Sequence, residues 1–485
     1  MHAYDSLYIG GEWTPASGEG AITAVSPADE QTIGTAPLAQ AADVDKAVTA
    51  ARSALHSAAW AGLTPSQRAD AMERFADELE KNQAHRAALT SKQNGMPIAV
   101  ATAAEGGAPP GLLRYYAALA RTLPREERRP RLDGLGDTVV RREPVGVVAA
   151  VVPWNFPQTL TMFKLAPALA AGCTVVLKPA PETTLDALEL AATAERAGLP
   201  AGVLNVVTGG ADIGAYLVAH PGVDKVAFTG STAAGRKIGE VCGRLLRPHT
   251  LELGGKSAAI VLDDADLEAT VRGLATSSLL NNGQTCYLST RILAPRSRYD
   301  EVVAAVAALA GALTVGDPLD PGTQVGPLVS SRQRDLVESY IAKGRAEGAT
   351  AVTGGSRPVG RDKGWYIQPT VFANVDNNAS IAREEIFGPV LSVIAYDGLD
   401  HAVALANDSD YGLGGTIWTS DPDKGLDLAR RVETGSVGVN YYALDVGAPF
   451  GGVKSSGVGR ELGPEGLAAY HSLKSIYLPS QGAHQ

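Results

Sequence analysis

The sequence has few of the residues that mark disulfide-bonded, metal-binding or nucleic-acid-binding proteins. Its 485 residues include three cysteines, Cys173, Cys242 and Cys286, which show neither metal-ligand spacing nor the even number of a disulfide framework. The net charge of -10 leaves no basic excess for binding nucleic acid. We therefore predict no metal site, no nucleic-acid partner and a reducing compartment without disulfides.

Long hydrophobic runs are also absent. The longest, VGVVAAVV at 145–152, is too short to cross a bilayer and ends at Pro153, so we interpret it as a buried strand. The N-terminal MHAYDSLYIGGEW lacks the basic region and apolar run of a signal peptide. We expect a cytoplasmic protein without membrane association.

Helical and β-rich segments alternate along most of the chain. Alanine-rich helical patterns fill 43–123, and short β-rich runs then alternate with helices from 145 onward. This alternation is typical of parallel α/β sheets, and the length allows two or three domains. The charged segment 125–147 predicts a hairpin or arm. The final YHSLKSIYLPSQ reads as a strand without a local partner, which we expect to pair with another subunit.

A thiol and a carboxyl group are the first candidates for chemistry. Cys286 follows the polar run NNGQT, which predicts a loop where the thiol is accessible, although free cysteines are more often buried structural residues. Glu252, in LELGGKS, has apolar and glycine neighbours that would raise its pKa towards that of a general base, although surface ion pairs are commoner. The eight histidines form no Cys–His pattern, so a thiol with a carboxylate base is the simplest pair.

A nucleotide site has a weaker signal, because the GxGxxG fingerprint is missing. The segment VAFTGSTAAGRKIG predicts a strand, a turn at Gly230 and a helix beginning at Ser231 or Thr232, whose N-terminal N–H groups would suit a phosphate. An ordinary turn is the alternative. A second strand ends at Lys178, where an ammonium would reach a ribose or phosphate.

Two further motifs add donors and acceptors. In PWNFP, prolines fix the backbone around Asn155, whose amide would donate to an oxyanion unless it only forms a turn. In EEIFGPV, carboxylates and an aromatic ring precede a Gly-Pro turn, and such a loop can bind a ribose and pack on a flat ring.

Taken in order, the motifs resemble those of the NAD(P)-dependent aldehyde dehydrogenase superfamily, of the non-acylating, hydrolytic type. They cover nearly the whole chain: PWNFP, VLKPA, FTGST, LELGGKS, GQTC, EEIFGPV and PFGGVKSSGVGRELG. The resemblance implies an α/β fold with a Rossmann-like nucleotide-binding domain (1–124 and 145–254), an α/β catalytic domain (255–470) and a small β oligomerisation arm (125–144 and 471–485). It also implies a homodimer or homotetramer.

The resemblance assigns roles to the candidate residues. Cys286 would attack the aldehyde to give a thiohemiacetal, with Asn155 and the Cys286 N–H as oxyanion donors. Hydride transfer to the nicotinamide would leave a thioester, which water activated by Glu252 would hydrolyse. Since a free thiol with a pKa of about 8.5 is mostly protonated at neutral pH, the site must lower that pKa or supply a base. The implied cofactor contacts are Trp154, Lys178, Glu182, Gly230, Ser231, Leu253, Glu385 and Phe387.

One departure concerns the cofactor. Many NAD-preferring members have glutamate three residues after the lysine, whereas this chain has Pro181 there and a carboxylate one residue later, at Glu182. Without an acid at position 181, repulsion of a 2′-phosphate weakens and NADP becomes the alternative, unless Glu182 restores the preference. We predict NAD as the cofactor, with NADP as the alternative.

The substrate pocket implied by family position is largely apolar and aromatic. A carboxylate-bearing substrate would lose hydration there without gaining a partner, so we predict a hydrophobic aliphatic or aromatic aldehyde. Arg291 and Arg114 remain candidates for binding a carboxylate, which would indicate a semialdehyde dehydrogenase. The predicted pocket residues are Phe156, Leu160, Phe163, Thr285, Tyr287, Tyr442 and Leu444.

Two other functions are compatible with the fold. A CoA-acylating aldehyde dehydrogenase would pass the thioester to CoA, but Glu252 argues for hydrolysis because it can activate water. A catalytically silent structural or nucleotide-binding protein would have no reason to retain nucleophile, base and oxyanion donor together.

Overall fold

A computed structural model describes residues 2–479 of the chain. Within these residues, no helix is both long enough and apolar enough to cross a membrane. The helices are α1 (Ala41–His56), α2 (Pro65–Lys81), α3 (Gln83–Asn94), α4 (Ile98–Ala101), α5 (Ala108–Thr122), α6 (Pro157–Ala171), α7 (Thr184–Arg196), α8 (Ala211–Ala219), α9 (Thr232–Arg244), α10 (Leu267–Leu279), α11 (Tyr299–Ala312), α12 (Ser331–Ala346), α13 (Ser380–Arg383), α14 (Leu399–Asn407), α15 (Pro422–Ala429) and α16 (Gly463–Ala468). A π-helical turn (Thr102–Gly107) and 3-10 turns (Pro181–Thr183, Leu280–Gly283 and Arg296–Arg298) connect some of them.

The strands of residues 2–479 belong to two large sheets and three small ones. They are β1 (His2–Ala3), β2 (Ser6–Ile9), β3 (Glu12–Pro15), β4 (Ala21–Val25), β5 (Thr32–Pro37), β6 (Glu126–Pro130), β7 (Gly136–Pro144), β8 (Val147–Val151), β9 (Thr174–Lys178), β10 (Leu204–Val206), β11 (Lys225–Thr229), β12 (His249–Glu252), β13 (Ala258–Val261), β14 (Arg291–Pro295), β15 (Thr350–Thr353), β16 (Thr370–Ala373), β17 (Val390–Tyr396), β18 (Tyr411–Gly412), β19 (Gly415–Trp418), β20 (Gly438–Val439), β21 (Val453–Lys454), β22 (Gly457–Val458) and β23 (His471–Pro479).

The first large sheet has eight strands in the order β22-β12-β11-β8-β9-β10-β2-β3. Its five central strands are parallel and the outer ones antiparallel. Every residue of β8 is buried, as the apolar run at 145–152 predicts, because helices cover both faces of the sheet. The carboxyl ends of β8, β9, β11 and β12 therefore lie along one edge, where a ligand can bind.

The second large sheet has seven strands in the order β15-β16-β17-β14-β13-β19-β20. All pairings are parallel except that of β15 with β16. The alternating pattern after Cys286 therefore corresponds to a second α/β unit, with its own apolar layers on both faces. Parts of 450–470 join the first sheet instead: β22 pairs with β12, and Phe450, Leu467 and Tyr470 belong to the core of that sheet, whereas β21 pairs with β18.

The predicted arm is a three-stranded antiparallel sheet in the order β23-β7-β6. The hairpin expected at 125–147 is present as β6 and β7. The C-terminal strand has no local partner, because it pairs with the distant β7, from His471 opposite Pro144 to Pro479 opposite Gly136. Pairing of β23 with another subunit stays a prediction. Alternation along a strand gives no information about which distant strand completes the ladder. The last residues of the predicted arm, 480–485, lie outside the described part.

Candidate active site

Cys286 follows α10 on an irregular segment held by buried asparagines. Asn281 and Asn282 have φ angles of 51° and 61°, in the left-handed region that asparagine tolerates better than most residues. Asn281 Nδ2 donates to the Asn155 carbonyl (2.9 Å), and Asn282 Nδ2 donates to the Gly95 carbonyl (2.9 Å). These bonds fix the half-buried thiol on a rigid backbone.

Asn155 lies against this segment, in the turn between β8 and α6. It is 3% exposed, and its Nδ2 donates to the Gln284 carbonyl at 3.0 Å, two residues before Cys286. Because an amide carries two N–H groups and Gln284 uses one, the other is available to an oxygen at the thiol.

Buried carboxyl groups hold the start of α6, and therefore the turn that precedes it. Glu105, in the π-helical turn, accepts from the Gln158 N–H at 2.7 Å, and Gln158 Nε2 donates to Asp186 Oδ1 at 3.3 Å. Arg86 Nη1 donates to Gln158 Oε1 at 2.9 Å. Burial raises the pKa of Glu105 to about 7 and that of Asp186 to about 8.

Glu252 is the last residue of β12 and is 2% exposed. Neither carboxyl oxygen has a hydrogen-bond partner among residues 2–479. Burial, followed by the charge of Glu461, raises the pKa of Glu252 well above its ordinary value, as the sequence predicts. A Cβ at position 451 would lie 2.6 Å from Glu252 Oε1, so glycine at this position leaves room for the carboxyl.

A buried ion pair beside Glu252 has no signal in the sequence. Lys164 Nζ, on α6, donates to Glu461 Oε1 at 2.8 Å and to Thr229 Oγ1 at 2.6 Å. Both charged side chains are almost fully buried. Lys164 opposes the rise in the pKa of Glu252, and Glu461 reinforces it. The charges of Lys164 and Glu461 therefore help to set the pKa of the candidate base, Glu252.

The Cys286 thiol is the poorer acid of the two candidate catalytic groups. Burial raises its pKa far above the usual range, and the negative charges of Glu385 and Glu252 add to the effect. The thiol is therefore protonated at neutral pH in this structure. Its reaction as a nucleophile requires a nearby positive charge or a base that accepts its proton.

A cleft of about 360 Å³ contains Cys286 and Asn155 and extends to the N-terminus of α9. Ligand sites commonly measure roughly 300–1,000 Å³. Every residue predicted to contact the cofactor lines this cleft except Lys178: Trp154, Glu182, Gly230, Ser231, Leu253, Glu385 and Phe387. Lys178 is the last residue of β9, and burial lowers the pKa of its ammonium to about 8.

The turn from β11 to α9 fits a pyrophosphate. Ser231 is the N-cap of α9, with its hydroxyl accepting from the Ala234 N–H. The first N–H groups of a helix have no partners within it and attract anions. A Cβ at Gly230 would lie 2.5 Å from the Phe228 ring, so glycine permits the tight turn.

The other end of the cleft fits a ribose and a flat ring. Glu385 Oε1 accepts from the Gly255 N–H at 3.1 Å, and burial raises the pKa of this carboxyl to about 7. Phe387 packs edge-on against Trp154 with ring centroids 5.3 Å apart. Phe387 also has a φ of 57°, an unusual backbone conformation that often occurs at ligand sites.

Aromatic side chains lie next to the thiol. Tyr287 stacks on Tyr442 at 4.9 Å, and Phe450 meets Tyr287 edge-on at 6.4 Å. The Tyr442 hydroxyl lies 2.7 Å from Ser436 Oγ, which fixes the ring. A second cavity of about 240 Å³ is lined by Tyr442, Leu444 and Phe450 among others.

The other predicted pocket residues differ in burial. Leu160 and Phe163 are buried in the core of the eight-stranded sheet, and Phe156 and Leu444 are half-buried residues that pack against this core. Thr285 is also buried, and its hydroxyl donates to the Leu280 carbonyl at 3.4 Å.

The two arginines considered for carboxylate binding are engaged elsewhere. Arg291 is 1% exposed, and its guanidinium donates to Asn377 Oδ1 and to the backbone carbonyls of Lys256, Leu405 and Ala406. Arg114 pairs with Asp77 and Glu80 on the surface. Neither lines the cleft that contains Cys286.

Sequence reasoning missed one wall of the cleft. The residues are at and just before the start of α12, and they are Val329, Ser330, Arg332, Gln333 and Leu336. The Ser330 hydroxyl accepts from the Gln333 N–H, and Gln333 Nε2 donates to the Phe387 carbonyl at 2.9 Å. The serine followed three residues later by glutamine signals a helix start, but not that this helix lies on the cleft.

Comparison with known proteins agrees with this geometry. The model of the aldehyde dehydrogenase family matches residues 13–476. Geranial dehydrogenase of Castellaniella defragrans is 56% identical over 98% of this chain and 99% of its own. Phenylacetaldehyde dehydrogenase of Pseudomonas fluorescens is 41% identical over 97% of this chain and 95% of its own. The crystal structure of an aldehyde dehydrogenase of Mycobacterium tuberculosis complexed with NAD+ is 48% identical, covers 99% of both chains and superposes with a TM-score of 0.97.

The chain belongs to the aldehyde dehydrogenase family. It is an oxidoreductase that oxidises an aldehyde to the carboxylic acid with NAD(P)+. The predicted α/β fold, with a Rossmann-like part and a second α/β unit, is confirmed.

Proposed function

We propose that Cys286 is the nucleophile, Glu252 the general base and Asn155 an oxyanion donor in the oxidation of a hydrophobic aldehyde. One observation carries the proposal: the Cys286 thiol lines a cleft that fits a dinucleotide, and the buried Glu252 carboxyl, without a hydrogen-bond partner among the described residues, is close enough to act on the pKa of that thiol. A carboxyl group in that state can accept a proton from the thiol or from water.

The residues would act in sequence around one carbonyl group. The sulfur attacks the aldehyde carbon, and the resulting oxyanion accepts from the free N–H of the Asn155 amide. Bound NAD+ supplies the hydride acceptor, and its positive charge favours the thiolate of a nearby thiol. Glu252 then takes a proton from the water that hydrolyses the Cys286 thioester, and the carboxylic acid leaves.

The proposed substrate class rests on the side chains near the thiol. Tyr287, Tyr442 and Phe450 form an aromatic cluster, and both arginines considered for a carboxylate have other partners. A hydrophobic aliphatic or aromatic aldehyde therefore fits better than a semialdehyde. The names of two relatives, geranial dehydrogenase and phenylacetaldehyde dehydrogenase, agree with this class.

NAD is proposed as the preferred cofactor. Glu182 lines the cleft at the position next to Pro181, and a carboxylate there would accept from the adenine-ribose hydroxyls and repel a 2′-phosphate. The remaining cofactor contacts proposed are Trp154, Lys178, Gly230, Ser231, Leu253, Glu385 and Phe387.

NAD(P)H formation from a panel of aldehydes tests the substrate and the nucleophile together. We expect fast oxidation of long aliphatic and aromatic aldehydes, slow oxidation of succinic semialdehyde and no acyl-CoA on addition of CoA. Cys286→Ala should abolish oxidation, whereas Cys242→Ala, which removes a buried thiol on α9, should retain it. A preference for the semialdehyde would contradict the substrate class, and an active Cys286→Ala enzyme would contradict the mechanism.

The domain roles and the assembly are further proposals. The eight-stranded sheet would bind the nucleotide, the seven-stranded sheet would carry the catalytic cysteine, and the β23-β7-β6 sheet would mediate a homodimer or homotetramer in the cytoplasm. The assembly through the β23-β7-β6 sheet is supported by exposed apolar residues on that sheet and its connecting loop: Leu132, Leu135, Leu473 and Tyr477. A solution mass equal to one chain would contradict it.

A further inference from the structure

A cationic cavity lies away from the cleft, where the β23-β7-β6 sheet meets α2, α5 and α6. Its volume is about 100 Å³. We propose that this cavity binds a small oxyanion such as phosphate or sulfate, held by Arg68, Arg125, Arg142 and His471. The other residues that line it are apolar or glycine, and none is acidic.

Two buried nitrogen atoms of the cavity residues have no partner within residues 2–479. They are Nε of Arg68 and Nδ1 of His471. The remaining Arg68 nitrogens make one good bond, from Nη1 to the Leu63 carbonyl (2.9 Å), and one long one, from Nη2 to the Ala170 carbonyl (3.5 Å). Buried polar atoms are normally satisfied, and a bound ion is one way to satisfy them.

The arginines of the cavity are close enough to disfavour positive charge on one another and on His471. Burial and then Arg125 lower the pKa of Arg68, and burial followed by Arg142 and Arg68 lowers the pKa of His471 to about 4. The nearest carboxylate paired with Arg142 is Glu127, 3.6 Å away and outside the cavity lining. A bound anion would replace this repulsion with attraction.

Size and donor geometry favour a small oxyanion over a nucleotide. A water molecule occupies about 30 Å³, so the cavity holds only a group a few times larger. Guanidinium groups present paired N–H donors that match the oxygens of phosphate, sulfate or carboxylate. The anion would link Arg68 on α2 with Arg142 on β7 and His471 on β23, and so fasten the small sheet to the helices.

Calorimetric titration of the whole protein with inorganic phosphate, and separately with sulfate, tests the proposal. We expect saturable binding of one anion per chain, weakened about tenfold or more in Arg125→Gln and Arg142→Gln because each removes a charged donor. Arg125 is exposed, so its replacement should not disturb folding. Arg121→Gln is the matched control: it is an exposed arginine at the end of α5, paired with Asp70 and Glu73, and it does not line the cavity.

Each outcome decides the matter. The proposal is supported if Arg125→Gln and Arg142→Gln lose anion binding, Arg121→Gln keeps it, and all three variants form NADH at the wild-type rate. Equal stabilisation of wild type and variants by phosphate, without saturable heat, would reflect general salt exclusion and overturn the proposal. If phosphate does not bind and Arg142→Gln instead lowers the mass of the assembly, the arginines bind a carboxylate of a second copy and the free-anion proposal is wrong.

Discussion

Replacing Glu252 with glutamine should separate the two halves of the reaction. Glutamine has the shape of glutamate but cannot accept a proton at neutral pH. Formation of the thioester at Cys286 should therefore continue, while its hydrolysis slows. The first turnover would release one equivalent of NADH per active site, after which the rate would fall to that of hydrolysis.

The size of the effect follows from the isolation of the carboxyl group. Both oxygens lack a partner among the described residues, and the neighbouring Glu461 is already paired with Lys164. The other carboxyl near the thiol, Glu385, accepts a hydrogen bond from the Gly255 N–H and is assigned to the cofactor ribose, so the full contribution of a general base should be lost. That contribution is typically a factor of roughly 10²–10⁴, which corresponds to about 3–5 kcal/mol of transition-state stabilisation.

Stopped-flow NADH measurements with a fast aldehyde would show the burst, and hydroxylamine would trap the accumulated thioester. The pH dependence provides a second reading. Because the pKa of Glu252 is raised, steady-state turnover of the wild type should increase with pH as the carboxyl ionises, whereas Glu252→Gln should lack this increase.

Two results would refute the reasoning. Turnover of Glu252→Gln within about threefold of the wild type, without a burst, would show that another group activates water. A burst in Cys286→Ala would show that the thioester forms elsewhere. Asn155→Ala is the comparison for the first half-reaction: it should slow the burst itself, by up to roughly 10²–10³ as for other oxyanion donors.

Three other substitutions test structural and cofactor arguments. Lys164→Met should lower the free energy of unfolding by about 3–5 kcal/mol in urea, because it leaves Glu461 buried without its partner, whereas Lys81→Met on the surface should change it little. Asp186→Asn should flatten the pH dependence of stability. Because the pKa of Asp186 is about 8 in the folded state, the folded protein keeps this proton where the unfolded chain loses it, and wild-type stability falls as pH rises from about 4 towards 8. Urea unfolding across that range should show a smaller fall in Asp186→Asn. The exposed Asp77→Asn is the control and should show the wild-type fall. Glu182→Gln should raise KM for NAD and lower KM for NADP, and unchanged values for both would contradict its assignment to the ribose.

Local patterns were sufficient to predict the elements that position the site. Lys178 is the last residue of a buried strand, and Ser231 caps the helix after the turn at Gly230, both as predicted. Strand ends, caps and turns depend on neighbouring residues, and parallel strands bring their carboxyl ends together. Partners distant in sequence leave no such signal. Lys164 and Glu461 are 297 positions apart, and neither lies in a pattern that indicates the other.

The segment NNGQTC shows why the sequence could indicate the nucleophile without describing its surroundings. Its amide groups predict a solvated loop, yet Asn281 and Asn282 are almost fully buried and donate to distant carbonyls. Their side-chain amides donate to buried backbone carbonyl groups, which would otherwise lack hydrogen-bond partners. The same burial raises the pKa of the Cys286 thiol, so the frame that fixes the sulfur also keeps it protonated. A thiol held in this way needs a group that accepts its proton before it can attack. The proposed mechanism therefore depends on the carboxyl of Glu252.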